Sequence, residues 1–140
     1  MSVAEVLLPV FVLVALAFIL LFWMGKERRG ALVSRQVHMK DIALDEPNWP
    51  KNAAQLGNCL KNQFEFPLLF YVLVALALPL RQADLLFVVL SWLFVATRYL
   101  HAGIFVTSND VRQRSLAFFA GVLVLLVMWI VFAVKILRVH

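Results

Sequence analysis

Apolar residues cluster in four runs, Val6–Met24, Phe66–Leu80, Leu85–Thr97 and Leu116–Val134, with polar residues gathered between them. The first and last runs hold 19 residues each. As helices they span roughly 29 Å at ~1.5 Å per residue, enough for a hydrocarbon core of about 30 Å. The middle runs are shorter. They reach across only if the second extends back to about Gly57 and the third forward to about Val106. Those extensions carry Asn58, Lys61, Asn62, Glu65, Arg98 and His101, which the pattern therefore places on helices rather than in loops. The predicted elements are helices over about 4–26, 57–80, 83–106 and 111–137 in one domain, residues 1–140.

The connections fit that reading. The long first link contains Asp45-Glu46-Pro47-Asn48-Trp49-Pro50, which breaks a helix, and Trp49 is of the type favoured at a membrane interface. The second and third links, Pro79–Asp84 and Thr107–Asp110, are short and force antiparallel neighbours. Ser108 or Asn109 is expected to cap the last helix, with Asp110 complementing its positive end. Pro9 is tolerated in the first turns of the first helix. There is no internal repeat and no GxxxG motif.

Composition turns this pattern into a membrane assignment. The chain is 64% hydrophobic, with a mean hydropathy of +0.90, against about 45–50% apolar in a soluble domain. The expected fold class is an all-α integral membrane protein, a bundle of four transmembrane helices. The first run follows Glu5 and no basic residue, so it reads as a permanent helix and not a signal peptide.

The net charge of +5 is informative by position and is not a nucleic-acid signal. Ten of the thirteen basic residues, Lys26, Arg28, Arg29, Arg35, Lys40, Lys51, Lys61, Arg98, Arg112 and Arg114, flank the first and third links. Arg81, Lys135 and Arg138 fall on the other side. The positive-inside rule then puts the first and third loops in the cytoplasm and both termini outside it. Short loops and the absence of a cleavable signal fit a bacterial inner membrane.

Candidate chemistry gathers at one membrane face. On a continuous helix, Asn58, Lys61, Asn62 and Glu65 fall at i, i+3, i+4 and i+7 and share a face. Arg98 and His101 share another. Charges near a membrane interior face a cavity or a partner. Arginine receives a carboxylate in a two-pronged fork, and Glu65 could receive an ammonium group. Arg112, Arg114 and Ser115 open the fourth helix, where a guanidinium and a hydroxyl could hold a thiol as thiolate. Read residue by residue, basic side chains at helix ends also snorkel to lipid headgroups, but that does not explain Asn62 and Glu65. The single Cys59 permits no intramolecular disulfide and reads as a packing residue. His101 lacks partners at metal-ligand spacing, since His38 is in a loop and His140 is terminal, so no metal is expected. A channel or transporter would need a polar stripe across the midplane, and the clusters stay at one face. Four helices leave little room around buried charges, and an oligomer would supply it.

The stretch Asn62-Gln63-Phe64-Glu65 followed by Pro67 resembles the Arg-x-x-Arg-Asn-x-x-Glu signature of the membrane-associated proteins in eicosanoid and glutathione metabolism, the MAPEG family. Arg98-x-x-His101 and Arg114-Ser115 are similar to the family's contacts from its third and fourth helices. The resemblance covers nearly the whole chain. It implies a homotrimer in which glutathione lies between protomers near the cytoplasmic face. It further implies that Asn62 and Glu65 hold the glutathione backbone, with Lys61 where an arginine is usual. Arg98 and His101 would touch the peptide, with Arg112 nearby, and Arg28 would reach in from a neighbour. Arg114 would stabilise the thiolate and Ser115 would assist. The implied activity is a glutathione-dependent transferase or peroxidase on lipophilic electrophiles entering from membrane lipid. Asn58 stands in place of the signature's first arginine, and Phe105 and Phe118 in place of tyrosines. These departures remove three hydrogen-bonding groups and favour a second reading, a non-catalytic scaffold that binds lipid or a partner protein.

Overall fold

The computed structural model describes residues 2–42 and 48–139. The order is α1 (Val3–Val33), a 3₁₀ turn (Met39–Ile42), α2 (Lys51–Asn62), α3 (Pro67–Ala77), α4 (Leu85–Val106) and α5 (Val111–Val139). Four spans are long and apolar enough to cross a membrane, with α2 and α3 together forming the second, Lys51–Ala77. The described residues contain no strand. The chain is an all-helical integral membrane protein.

Two boundaries differ from the sequence expectation. Helix α1 continues past residue 26 to Val33, about 46 Å at ~1.5 Å per residue. The added turns, Glu27-Arg28-Arg29-Gly30-Ala31-Leu32-Val33, contain no proline and mostly good helix formers. The chain leaves the helix only where Arg35 turns left-handed (φ 62°) and the Gln36 N–H reaches back to the Ala31 carbonyl. The second helix begins at Lys51, directly after Pro50, and not near Gly57. Part of the expected breaker, Asp45-Glu46-Pro47, lies outside the described residues.

The larger correction is inside the second span. A continuous helix over 57–80 is not formed: α2 stops at Asn62 and α3 starts at Pro67. Pro67 has no N–H to donate, its ring crowds the carbonyl four residues back, and it disfavours helical geometry just before it. The chain bridges the break with tighter i→i+3 bonds, Gln63 N–H to Leu60, Phe64 to Lys61 and Glu65 to Asn62. Glu65 therefore sits in a turn and not on the face shared by Asn58, Lys61 and Asn62.

Helix α4 is central and packs against α1, α2 and α5. Its start is capped by Asp84, whose carboxylate accepts from the Phe87 N–H at 3.0 Å. The Tyr99 hydroxyl donates to the Val12 carbonyl of α1 at 2.7 Å. Phe70 and Phe94 stack at 5.0 Å between centroids in the core. Asp110, and neither Ser108 nor Asn109, caps α5 by accepting from the Arg112 N–H at 3.0 Å. Asn109 instead ends α4 in a left-handed turn (φ 52°). Leucine, phenylalanine and isoleucine side chains such as Phe11, Phe22, Leu93, Leu123 and Ile130 cover the outside, as expected of a lipid-facing surface.

Gly121 sets the closest approach of α5 to α4. A Cβ there would stand 2.8 Å from Thr97 Oγ1 and 3.7 Å from the Phe94 ring. Thr97 cannot swing aside freely, because its hydroxyl donates to the Phe94 carbonyl at 2.6 Å. Gly121→Ala is expected to destabilise the bundle by about 1–3 kcal/mol. Adding Thr97→Ala should recover most of that loss in a detergent unfolding titration.

At the opposite membrane face Asp84 pairs with Lys135 of α5. Partial burial works to raise the Asp84 pKa, but the Lys135 ammonium and the Phe87 N–H outweigh it and hold the carboxyl below its ordinary value. A carboxyl depressed in the folded state adds stability above its unfolded pKa and loses it as pH falls through the folded one. The pair is largely exposed, so it is worth under about 1 kcal/mol. The stability gap between the wild type and Asp84→Asn is expected at pH 6 and should shrink as pH falls below the ordinary carboxyl value of about 4.

Candidate functional site

The polar end of the molecule is built by the C-terminal turns of α1, α2, the turn after it, the C-terminal half of α4 and the start of α5. Arg98 is its centre. It is only 2% exposed, and its Nη2 donates to Asn62 Oδ1 across α4 and α2. A permanently charged guanidinium in an apolar bundle is costly unless its N–H groups are paired, yet Arg98 Nε has no partner among the described residues.

Two buried polar neighbours share this condition. His101, also 2% exposed, leaves Nδ1 without a partner. Its ring is flanked by Phe105 at 5.7 Å and Phe118 at 5.9 Å. Gln63 donates from Nε2 to the Cys59 carbonyl at 3.3 Å, while its Oε1 has no partner. Gln63 lies inside the signature stretch but was not singled out by sequence. Its burial follows from the turn before Pro67, which swings it inward. Cys59 is fully buried beside these groups, and the charges of Arg98 and Arg114 both act on it.

Arg114 lies over the Phe105 ring, Cζ 4.5 Å from the centroid, and donates from Nη1 to Asn109 Oδ1 at 2.6 Å. It is half-buried, as is Ser115 beside it. The charges of Arg98 and Arg114 both act on His101, so α4 and α5 do bring these three together. Phe105 and Phe118 have no hydroxyl but keep an aromatic wall: Phe105 supports Arg114, and Phe118 meets His101, Phe66 at 5.8 Å and Phe119 at 5.7 Å.

The remaining candidates are more peripheral. Glu65 is exposed in the turn, near enough for its charge to act on Arg98. Lys61 and Arg112 are exposed. Arg28 does not enter the Arg98 cluster of its own chain. Its Cζ lies 4.7 Å from the centroid of the Trp49 ring, and its Nη2 lies against Gly57 of α2. Among the described residues there is no group of three His, Cys, Asp or Glu that could hold a metal; His140 lies outside them.

The Arg98–Asn62 bond has a measurable consequence. Asn62→Leu leaves the buried guanidinium without its acceptor and is expected to cost about 1.5–3 kcal/mol. Arg98→Met combined with Asn62→Leu removes both partners and should be less destabilising than the sum of the single changes, read by a double-mutant cycle in detergent.

The cluster is cationic, with an aromatic wall of Phe105 and Phe118 beside Arg114 and His101. It suits an anionic ligand more than a metal or a nucleic acid. A family model described as the MAPEG family matches residues 6–134 of the chain. No curated protein matches, and no solved structure matches.

Proposed function

The chain belongs to the MAPEG family, and from that premise we propose that it is a membrane-embedded glutathione-dependent transferase or peroxidase acting on lipophilic electrophiles. The observation that carries the reading is Arg98. A buried arginine with an unpartnered Nε, flanked by unpartnered His101 and Gln63 atoms, offers donors and an acceptor to a peptide-like ligand. Asn62 and Glu65 supply amide and carboxylate beside it. Lys61, Arg112 and the Arg28 of a neighbour add positive charge for the carboxylates of glutathione.

Arg114 is assigned to the thiol. A guanidinium favours thiolate over thiol, and the thiolate is the nucleophile. It attacks an electrophilic carbon of a substrate entering from the bilayer. Either a leaving group departs with the bonding pair, or an activated double bond is opened and takes up a proton. In the reductive case it attacks a peroxide oxygen, and the O–O bond breaks with release of the alcohol. A second glutathione then converts the sulfenic acid to disulfide and water. Ser115 assists by hydrogen bonding to the sulfur or to the developing negative charge. The protomers form a homotrimer, which supplies the second wall of a site that a single bundle leaves open. The first and third loops face the cytoplasm of a bacterial cell, where glutathione is delivered, and both termini lie outside it.

A second reading has its own observation. Arg114 is engaged within its chain by Asn109 and the Phe105 ring, and Arg98 by Asn62. A network that satisfies itself this far would also serve a non-catalytic scaffold that binds lipid or a partner protein.

Calorimetry with glutathione on the detergent-purified protein separates the two. Binding in the wild type, weakened about tenfold or more in Glu65→Gln, supports the enzyme. No binding at millimolar glutathione favours the scaffold. In the enzyme, Arg114→Ala should abolish the thiolate absorbance of bound glutathione and lower kcat by about 10²–10³-fold. Unchanged absorbance would remove Arg114 from the thiol-activating role.

A further inference from the structure

The turn that joins α3 to α4, at the face opposite the Arg98 cluster, holds an arginine that no step of the proposed reaction uses. Helix α3 closes there in a Schellman turn. The Arg81 N–H donates to the Leu78 carbonyl at 3.1 Å and the Gln82 N–H to the Ala77 carbonyl at 3.0 Å. Such a turn needs a left-handed residue, and Arg81 takes that conformation (φ 56°). Glycine would adopt it without a Cβ penalty, so the arginine side chain is carried against the local backbone preference. Backbone strain of this kind concentrates where a side chain has a function.

Arg81 lines a cleft of about 380 Å³ together with Val3, Val6, Leu78 and Ala83. Val3 and Val6 lie one turn apart on α1 and share a face. Buried Val6 forms the floor and exposed Val3 the rim. Among the described residues no carboxylate lines the cleft, and no hydrogen bond or ion pair engages the Arg81 guanidinium. Asp84, the acid of the same turn, is taken by Lys135. The cleft therefore combines apolar walls with one uncompensated positive charge.

Its height favours a lipid as the occupant. Arg81 lies between the end of the second span at Ala77 and the start of the third at Leu85, the level of the lipid headgroups. A guanidinium fork matches two phosphate oxygens. The apolar walls beside it match the glycerol and first acyl carbons of the same molecule. A free phosphate would leave those walls uncovered, and a zwitterionic headgroup would bring its own cation towards Arg81.

We propose that this cleft binds an anionic glycerophospholipid, with its phosphate held by Arg81 and its glycerol end seated against Val3, Val6, Leu78 and Ala83. The site is separate from the Arg98 cluster and does not depend on the glutathione reading. A lipid seated there bridges the start of α1 and the turn between α3 and α4.

The test is native mass spectrometry of the full chain in detergent, titrated with phosphatidylglycerol and separately with phosphatidylcholine. The wild type is expected to hold phosphatidylglycerol about tenfold more tightly than phosphatidylcholine. Arg81→Gln should weaken phosphatidylglycerol about tenfold, as for the loss of one charge-assisted contact, and leave phosphatidylcholine unchanged. Arg81→Gly relaxes the turn, so without lipid it should unfold no earlier than the wild type and still lose the same affinity. Val3→Trp fills the cleft from its rim while leaving Arg81 in place, and should lose affinity to a similar degree. Inorganic phosphate at millimolar concentration should not displace the lipid.

Equal affinity for the two lipids, or wild-type phosphatidylglycerol affinity in either Arg81 variant, would overturn the site. Full affinity in Val3→Trp would reduce it to a surface charge without a cleft. Displacement by inorganic phosphate would make it a phosphate site. Either of these results overturns the lipid assignment.

Discussion

A charge that cannot be neutralised sits at the centre of an apolar bundle. Arg98 is 2% exposed on the central helix, and arginine stays protonated where lysine or histidine would shed its proton. Arg98 is buried away from solvent, so the protein must supply acceptors itself. Asn62 does so from α2. The position of α2 relative to α4 serves this guanidinium through Asn62, and the charge of Glu65 acts on it from the turn. At the opposite end of the molecule the exposed pair of Asp84 and Lys135 ties α4 to α5.

The break before Pro67 is what makes this arrangement possible. An unbroken helix would carry Glu65 around on the same face as Lys61 and Asn62. The turn at Gln63–Phe66 instead separates a polar half of the span, α2, from an apolar half, α3. The polar half lines the site and the apolar half enters the core through Phe70, Leu73 and Val74. One proline therefore divides a polar from an apolar half within a single span.

Two phenylalanines give the Arg98 cluster its aromatic wall. Phe105 and Phe118 lack hydroxyl groups, yet they retain the stacking surface on which Arg114 and His101 rest. These rings offer shape and cation–π attraction but no hydrogen bond.

Much of this was legible in the chain itself. Runs such as Val6–Met24 and Leu116–Val134 declare transmembrane helices because length and apolarity are local properties. The spacing of Arg98 and His101, and the stretch Asn62–Glu65 with Pro67, marked the residues of the candidate site. What sequence left open needed three dimensions. Spacing puts Glu65 on a helical face only by presuming a continuous helix, and only the folded chain shows how Pro67 ends one. Gln63 looked like an ordinary spacer, since inward or outward direction at a turn depends on where the next helix docks. Gly121 carried no motif, and its role exists only because Thr97 of another helix faces it. Arg28 and Trp49 are separated by a long loop, so no periodicity links them. Local patterning determined the spans and the chemistry at their ends; tertiary packing decided which of those groups are buried, paired and held together, because those are properties of the surfaces that different helices present to one another.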